Sequence, residues 1–462
     1  MNANIQLLAG KAFLGLCLLA GNFLPAQEQA APLCNKVIVG YWHSFDNGIS
    51  SVIKLRDVPC HYNVINISFF EGASPSDATV VFRLDENKVE TEAELIEDIK
   101  ICKARGQRVM ASIGGANGAI FLSTDAAREK FTTSLMGLID KFGIEGLDID
   151  IEGGAIVLGA GDSDYKNPTT ATIKNLISAL KTIKAKYGSN FWITAAPEVD
   201  YVMGGLTAYS GIWGAYLPIF HGLRNEMNFV HVQYYNTGGA NGKDGNTYTA
   251  ATADFVVAMT DMLLSGFKLA NGQTFEPLRE DQVAFGLPST TGAAPAGGYL
   301  ALAEVTKALG YLTNGQSFGG RYKLSKSYPG LRGIMTWSVN WDNIKSSNYA
   351  FGKTFSQYFC GGTNLCGPTT GVDESKDIER VLEAFPNPSN GITTIKGYNE
   401  AENASLQIFS IYGNVVHSEV IGQSGNFQKQ LDLSRFANGI YFIKVTNKES
   451  SYTKRIVLSS EI

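Results

Sequence analysis

The sequence predicts an α/β architecture, a (β/α)8 barrel followed by a small all-β sandwich. Three features of the 462-residue chain lead there. Eight short apolar runs recur between Val37 and Ser338. Segments with helical spacing of apolar residues separate them, and eight strands alternating with helices read as a parallel barrel. Beyond Leu382 that rhythm stops, and short runs alternating apolar and polar residues replace it. A doubly wound sheet would want a glycine-rich phosphate loop after the first strand, and Gly40-Tyr41-Trp42-His43 is not one.

In chain order, residues 1–26 read as a signal peptide. Lys11 supplies a positive end, Ala12 to Gly21 a short apolar run, and Leu24-Pro25-Ala26 a cleavage site. That run is too short to span a bilayer, and no later stretch is apolar enough to do so. The expected barrel occupies residues 34–360, with strands Val37–Tyr41, Val64–Phe70, Arg108–Ile113, Gly146–Glu152, Phe191–Ala196, Phe229–Tyr235, Val283–Leu287 and Gly333–Ser338. The clearest helix carries Ile173, Leu176, Ile177, Leu180 and Ile183, and Gly188 stops it. Turn-rich residues 361–381 read as a linker. Residues 382–462 form the expected sandwich, with strands including Ser405–Ile411, Asn426–Leu431 and Ile440–Val445.

Composition narrows the function. The formal charge of −5 argues against a nucleic-acid partner, which selects a basic face. The five His are scattered and the six Cys show no metal spacing, so neither a metal nor another cofactor is expected. Cys17 leaves with the signal segment, and an exported context permits disulfides among the rest. Cys360–Cys366 is the favoured pair because it closes a short loop. Cys34–Cys60 is also plausible, and Cys102, inside a helix, is expected to be free. A monomer is expected.

The sharpest chemical signal is Leu147-Asp148-Ile149-Asp150-Ile151-Glu152. Alternation puts Asp148, Asp150 and Glu152 on one face of the fourth strand. Taken alone, that suits an edge strand with one wet face. Parallel strands are normally buried on both sides, however, and carboxylates in a barrel lumen are costly unless paired or hydrogen-bonded. Barrel active sites lie at the C-terminal ends of the strands, which puts Glu152 nearest the chemistry. Like charges raise one carboxyl's proton affinity, so Asp148 and Asp150 are expected to keep Glu152 protonated as a general acid. No second carboxylate is evident across the cleft.

These residues resemble the DxxDxDxE signature of glycoside hydrolase family 18, with Glu145 in place of the first Asp. Ser112-Ile113-Gly114-Gly115 on strand three is similar to the family's SxGG motif. Gln233-Tyr234-Tyr235-Asn236 on strand six resembles the segment whose Tyr holds the substrate's acetamido group, and Asn236 stands where the family often has Asp. Ile334-Met335-Thr336-Trp337-Ser338 resembles the strand whose Trp floors the central sugar subsite. Ala195-Ala196-Pro197 and Phe285-Gly286-Leu287-Pro288 are similar as well.

The resemblance implies a chitinase acting on chitin or chito-oligosaccharides by a retaining, substrate-assisted mechanism. Glu152, Asp150, Asp148 and Tyr235 would be catalytic. Tyr41, Phe69, Gly115, Gln233, Asn236 and Trp337 would bind substrate. Core packing competes as a role for Tyr41, Phe69, Tyr235 and Trp337, and His43 and His231 read as structural. Only Pro288 to Arg332 separates strands seven and eight, too little for a walling domain beside its helix, so an open, endo-acting cleft is expected. An endo-β-N-acetylglucosaminidase and a non-catalytic glycan-binding barrel remain alternatives.

The C-terminal motifs Phe385-Pro386-Asn387-Pro388, Ile411-Tyr412-Gly413, Asn438-Gly439-Ile440-Tyr441-Phe442 and Lys454-Arg455-Ile456 resemble a type A sorting domain of the type IX secretion system. That resemblance implies a secreted or cell-surface product, exported through the periplasm with the secretion machinery as partner. A cell-wall-binding module would want exposed aromatics, and no Trp follows Trp341.

Overall fold

A computed structural model describes residues 34–361, 382–399, 404–410, 414–422, 424–446 and 451–459. The expected signal peptide, the expected linker and Cys366 lie outside the described residues. Among the described residues, no helix is long and apolar enough to cross a membrane.

Eight parallel strands close a barrel: β1 (Val37–His43), β2 (Val64–Ser74), β3 (Arg108–Gly115), β4 (Gly146–Ile151), β5 (Trp192–Ala195), β6 (Phe229–Gln233), β7 (Val283–Pro288) and β8 (Gly333–Trp337). Each pairs with its neighbours in sequence, and β1 closes the ring by pairing with both β2 and β8. All eight expected strands are present. Their ends differ by a few residues because pairing, which apolar runs do not show, sets where a strand stops. An antiparallel strand, Asp77–Phe82, extends the far end of β2 and was not expected from the pattern.

The intervening helices begin and end where local chemistry demands. Thr91 and Glu94 form a capping box before the helix Glu92–Ala104. Thr124 caps Asp125–Phe142, and Gly143 ends it in the left-handed conformation. The expected helix around Ile173 spans Ala171–Tyr187 and stops at Gly188. Its Ile173, Leu176, Leu180 and Ile183 are buried in the main core between helices and barrel.

Inside the barrel, side chains stack in layers. Val37, Val39, Val64, Met110, Phe229, Ala284 and Met335 form an apolar plug. Polar residues of the next layer, Tyr41, Ser112, Thr194 and His231, surround Asp148. Between β7 and β8 the chain adds the helix Leu302–Asn314, one short 3-10 turn and loops, with no inserted domain.

The C-terminal region has a second, separate core. A three-stranded sheet (Glu383–Phe385, Ile392–Asn399, Gly425–Asp432) and a four-stranded sheet (Val415–Ile421, Ala404–Ser410, Gly439–Thr446, Ser451–Leu458) contribute to it. Ile395 and Leu431 from the first sheet meet Leu406, Ile408, Ile443 and Ile456 from the second.

The cysteine expectation is overturned. Cys360 bonds to Cys34, with Cα atoms 5.5 Å apart, so neither the Cys360–Cys366 nor the Cys34–Cys60 pairing holds. Barrel closure brings the start of β1 beside the helix Ala350–Cys360, a proximity invisible to sequence spacing. Cys60 is also disulfide-bonded, and Cys102 is free and buried, as its helical position implies. The Cys34–Cys360 bridge closes a loop of 326 residues. Cys34→Ser should therefore lower unfolding stability by about 2–4 kcal/mol. An unchanged melting temperature would show that the bridge does not hold the barrel's ends together.

Candidate active site

The pleat of β4 turns Asp148 and Asp150 into the lumen, and Glu152 follows one residue beyond the strand's end. Asp148 is wholly buried. Its Oδ2 accepts from the Tyr41 hydroxyl at 2.5 Å and Ser112 Oγ at 2.9 Å. Its Oδ1 accepts from Thr194 Oγ1 at 2.6 Å and lies 2.9 Å from His231 Nε2. Burial alone would raise its proton affinity. The His231 imidazole and the hydrogen bonds from Thr194 and Tyr41 outweigh it, so Asp148 sits below the usual carboxylate range.

Asp150, 4% exposed, behaves oppositely. Burial first, then the charges of Glu152 and Asp148 and a hydrogen bond shared with Glu152, raise its pKa well above the ordinary value. Burial and its two carboxylate neighbours thus push Asp150 toward its protonated form. Asp150 has carboxylates both below and above it. Gln233 Nε2 fixes the pair, lying 2.7 Å from Asp150 Oδ1, 2.8 Å from Glu152 Oε1 and 2.8 Å from the Ala196 carbonyl oxygen.

Above these groups opens a cavity of about 460 Å³. Glu152, Asp150, Gln233, Tyr235, Asn236, Gly115, Phe69 and Trp337 all line it. Trp337 forms its aromatic floor, stacked on Phe69 with centroids 5.6 Å apart, and Tyr41 meets its edge at 5.7 Å. The SxGG turn earns its glycines through close approach. A Cβ on Gly114 would lie 2.4 Å from the Asp150 carbonyl oxygen, and one on Gly115 would lie 2.8 Å from the Phe69 ring. Tyr235 is 6% exposed, and its hydroxyl is held protonated by burial and by the nearby Asp150 and Glu152 charges. Asn236 adopts φ 53° and accepts from Ala296 N at 3.3 Å, so its side chain also orders the neighbouring loop.

Two expected placements change. Tyr41 lies beneath the cleft rather than in its wall; it is 1% exposed and serves Asp148. Glu145 stays outside the proton network. Its carboxylate meets Val109 N at 3.4 Å and Lys103 Nζ at 3.9 Å, at the opposite end of β4.

Sequence reasoning missed Glu198. It follows Ala195-Ala196-Pro197 off the end of β5 and lines the cavity with Glu152. Burial, then the charges of Glu152 and Asp200, push its carboxyl up to about 7. A second carboxyl does stand in the cleft, therefore. Its position after a barrel strand was the available signal; Pro197, which interrupts the alternation, hid it. His231, which the sequence reads as structural, faces the innermost carboxylate.

A closed (β/α)8 barrel with a carboxyl pair at the end of β4, under an aromatic-floored groove, has the make-up of a carbohydrate hydrolase. Comparison with known proteins makes the assignment specific. The model described as glycosyl hydrolases family 18 matches residues 37–358, and the chain belongs to that family. The model of a secretion system C-terminal sorting domain matches residues 383–459. The chain is 49% identical to Chitinase D of Niallia circulans over 325 residues, covering 69% of this chain and 61% of that protein. It is 36% identical to Chitinase ChiA of Flavobacterium johnsoniae over 435 residues, covering 90% of this chain but 27% of that protein. The chain thus spans about three fifths or less of the length of these relatives. A crystal structure of a family GH18 chitinase from Chromobacterium violaceum superimposes with a TM-score of 0.65 at 38% identity, covering 71% of this chain and 85% of that one.

Glu198 gives a test of the electrostatics. Its native affinity lies near 7 against an ordinary 4.5, so the folded state binds the proton more tightly. Its contribution to stability is therefore lost as pH rises from 4.5 to about 7. The melting temperature of Glu198→Gln relative to the parent should climb across that window and level off above it. A difference independent of pH would mean that Glu198 is an ordinary surface carboxyl.

Proposed function

We propose that the protein is a secreted chitinase that hydrolyses β-1,4 bonds between N-acetylglucosamine units with retention, using the substrate's own acetamido oxygen as nucleophile. The observation that carries this reading is the Asp150–Glu152 pair, held by one Gln233 amide above an ionised Asp148 and below an aromatic-floored cleft. Relatives named chitinases support the substrate.

Each group then has a task. Trp337 stacks beneath the sugar whose bond breaks, and Tyr235 donates to the acetamido carbonyl. Asp150, carrying its proton, turns the acetamido group so that its oxygen faces the anomeric carbon. Glu152, carrying a proton of its own in the substrate complex, gives it to the leaving glycosidic oxygen and later takes one back from the incoming water. Charge on Asp148 favours the positive ring that develops above it. Glu198 does not suit the role of nucleophile, since a carboxyl pushed up to about 7 keeps its proton through the acid range. The groove lacks an inserted wall between β7 and β8, which supports endo action. Sequence similarity of residues 383–459 to a sorting domain supports delivery outside the cell by type IX secretion.

Glu152→Gln should bind chito-oligomers normally and lose about 10²–10⁴-fold in turnover, while Glu198→Gln should lose far less. Early products followed by NMR should be β-anomers, and polymers without an acetyl group at the scissile sugar should resist. An initial α-anomer, or ready cleavage of fully deacetylated polymer, would eliminate the acetamido nucleophile. High-mannose glycoprotein offered beside chitin oligomers should stay uncut.

Removing residues from 372 onward should leave hydrolysis intact and abolish appearance of the enzyme outside the producing cell. Normal export of the shortened chain would refute the sorting role.

A further inference from the structure

His231 is wholly buried, and so is Asp148. Strand alternation on β6 turns Phe229, His231 and Gln233 into the lumen, so one strand supplies both the base of the train and its upper clamp. Each oxygen of Asp148 faces two partners, and three of the four are neutral hydroxyls, Tyr41, Ser112 and Thr194. His231, 2.9 Å away, is the one partner able to carry positive charge. Tyr41 meets the ring edge-on at 6.2 Å and Phe229 packs against it at a tilt at 5.5 Å, so it cannot swing away without repacking the core.

The groups around it leave little else to balance Asp148. From β1 comes Tyr41, and from β4 come Asp148, then Asp150, then Glu152. β5 offers Thr194 and, at the cleft, Glu198. On β6 itself Gln233 is neutral, and Tyr235 follows. β2, β3, β7 and β8 face the lumen with Asn66, Ser112, Gly286 and Met335, none of which titrates. Arg108 and Arg332 lie at the barrel floor, over Trp192 and Phe229, and their guanidinium groups donate to backbone carbonyls.

We propose that His231 is a positioning residue of the catalytic apparatus: facing Asp148 at the centre of the barrel, it keeps that carboxylate charged and so keeps the mobile proton on the Asp150–Glu152 pair. The proposal rests on the roles assigned above to Asp150 and Glu152. A charged Asp148 repels charge on Asp150, which retains its proton for the acetamido group. The same charge favours the cationic ring formed one layer higher. Without the imidazole, a fully buried Asp148 served by three neutral donors takes up a proton at a higher pH, and both effects fade together.

The test measures kcat and KM across pH on soluble chito-oligomers for the parent, His231→Gln, Asp148→Asn and the double variant. His231→Gln should lower kcat about tenfold at acid pH with KM within about twofold, and the deficit should shrink as pH rises. In the Asp148→Asn background, the same substitution should cost less than about twofold more, because its target is already neutral. A deficit equal at every pH, or losses that multiply in the double variant, would overturn the proposal while leaving the chitinase reading intact. A parent inactive on chito-oligomers would overturn the chitinase reading, and this proposal with it. His231→Phe keeps the ring contacts to Tyr41 and Phe229 and takes the place of His231→Gln should the amide variant not fold.

Discussion

A carboxylate at the centre of a closed barrel has no water to solvate it, and the way Asp148 is accommodated governs the rest of the site. An isolated buried charge costs far more than a domain can spare, so the lumen must either neutralise it or surround it with donors. Here three hydroxyls and an imidazole converge on its two oxygens. They come from β1, β3, β5 and β6, which is possible only because the sheet closes on itself. With Asp148 charged, the next carboxyl up the strand must hold a proton. That proton lets Asp150 and Glu152 lie side by side rather than as two repelling anions.

The walls of the cleft follow from the same demand for close approach. Gly114 packs against the Asp150 carbonyl and Gly115 against the Phe69 ring, so the turn after β3 can carry no side chain without displacing the carboxyl strand. Phe69 in turn stacks on Trp337, which closes the circle from β2 to β8. The floor on which a sugar would rest is thus built from residues more than two hundred positions apart in the chain. Buried on one side and packed on their neighbours, these rings lose little freedom when a ligand arrives. Cys34–Cys360 acts at the chain ends of the same ring, tying the entry to β1 to the last barrel helix. The sandwich that follows is stabilised by its own core of Ile, Leu and Val side chains. That independence agrees with the separate sorting-domain match over residues 383–459.

The barrel and most of its site were legible because their signals are local. Period-two alternation on β4 put Asp148, Asp150 and Glu152 on one face, and apolar runs located all eight strands. Caps such as Gly188 marked helix ends. Glu198 was not legible, since Pro197 interrupts the strand pattern and nothing nearby in sequence shows that the residue turns toward Glu152. The disulfide was misread for a related reason. Short loops look easy to close, but Cys34 and Cys360 are neighbours only because β1 pairs with β8.

The amino-acid sequence by itself determined the order of strands and helices, the shared face of Asp148, Asp150 and Glu152 on β4 and the change to a β-rich C-terminal region. These depend on periodicity, side-chain chemistry and motif spacing, which are properties of adjacent residues. Only the tertiary structure decided that Asp150 is pushed toward its protonated form, which group faces Asp148, and that Tyr41 serves the network beneath the cleft rather than the cleft itself. Proton affinity is set by burial depth and by every charge within a few ångströms. Around Asp148 and Asp150 those charges and donors come from β1, β3, β5 and β6, brought together only when the barrel closes.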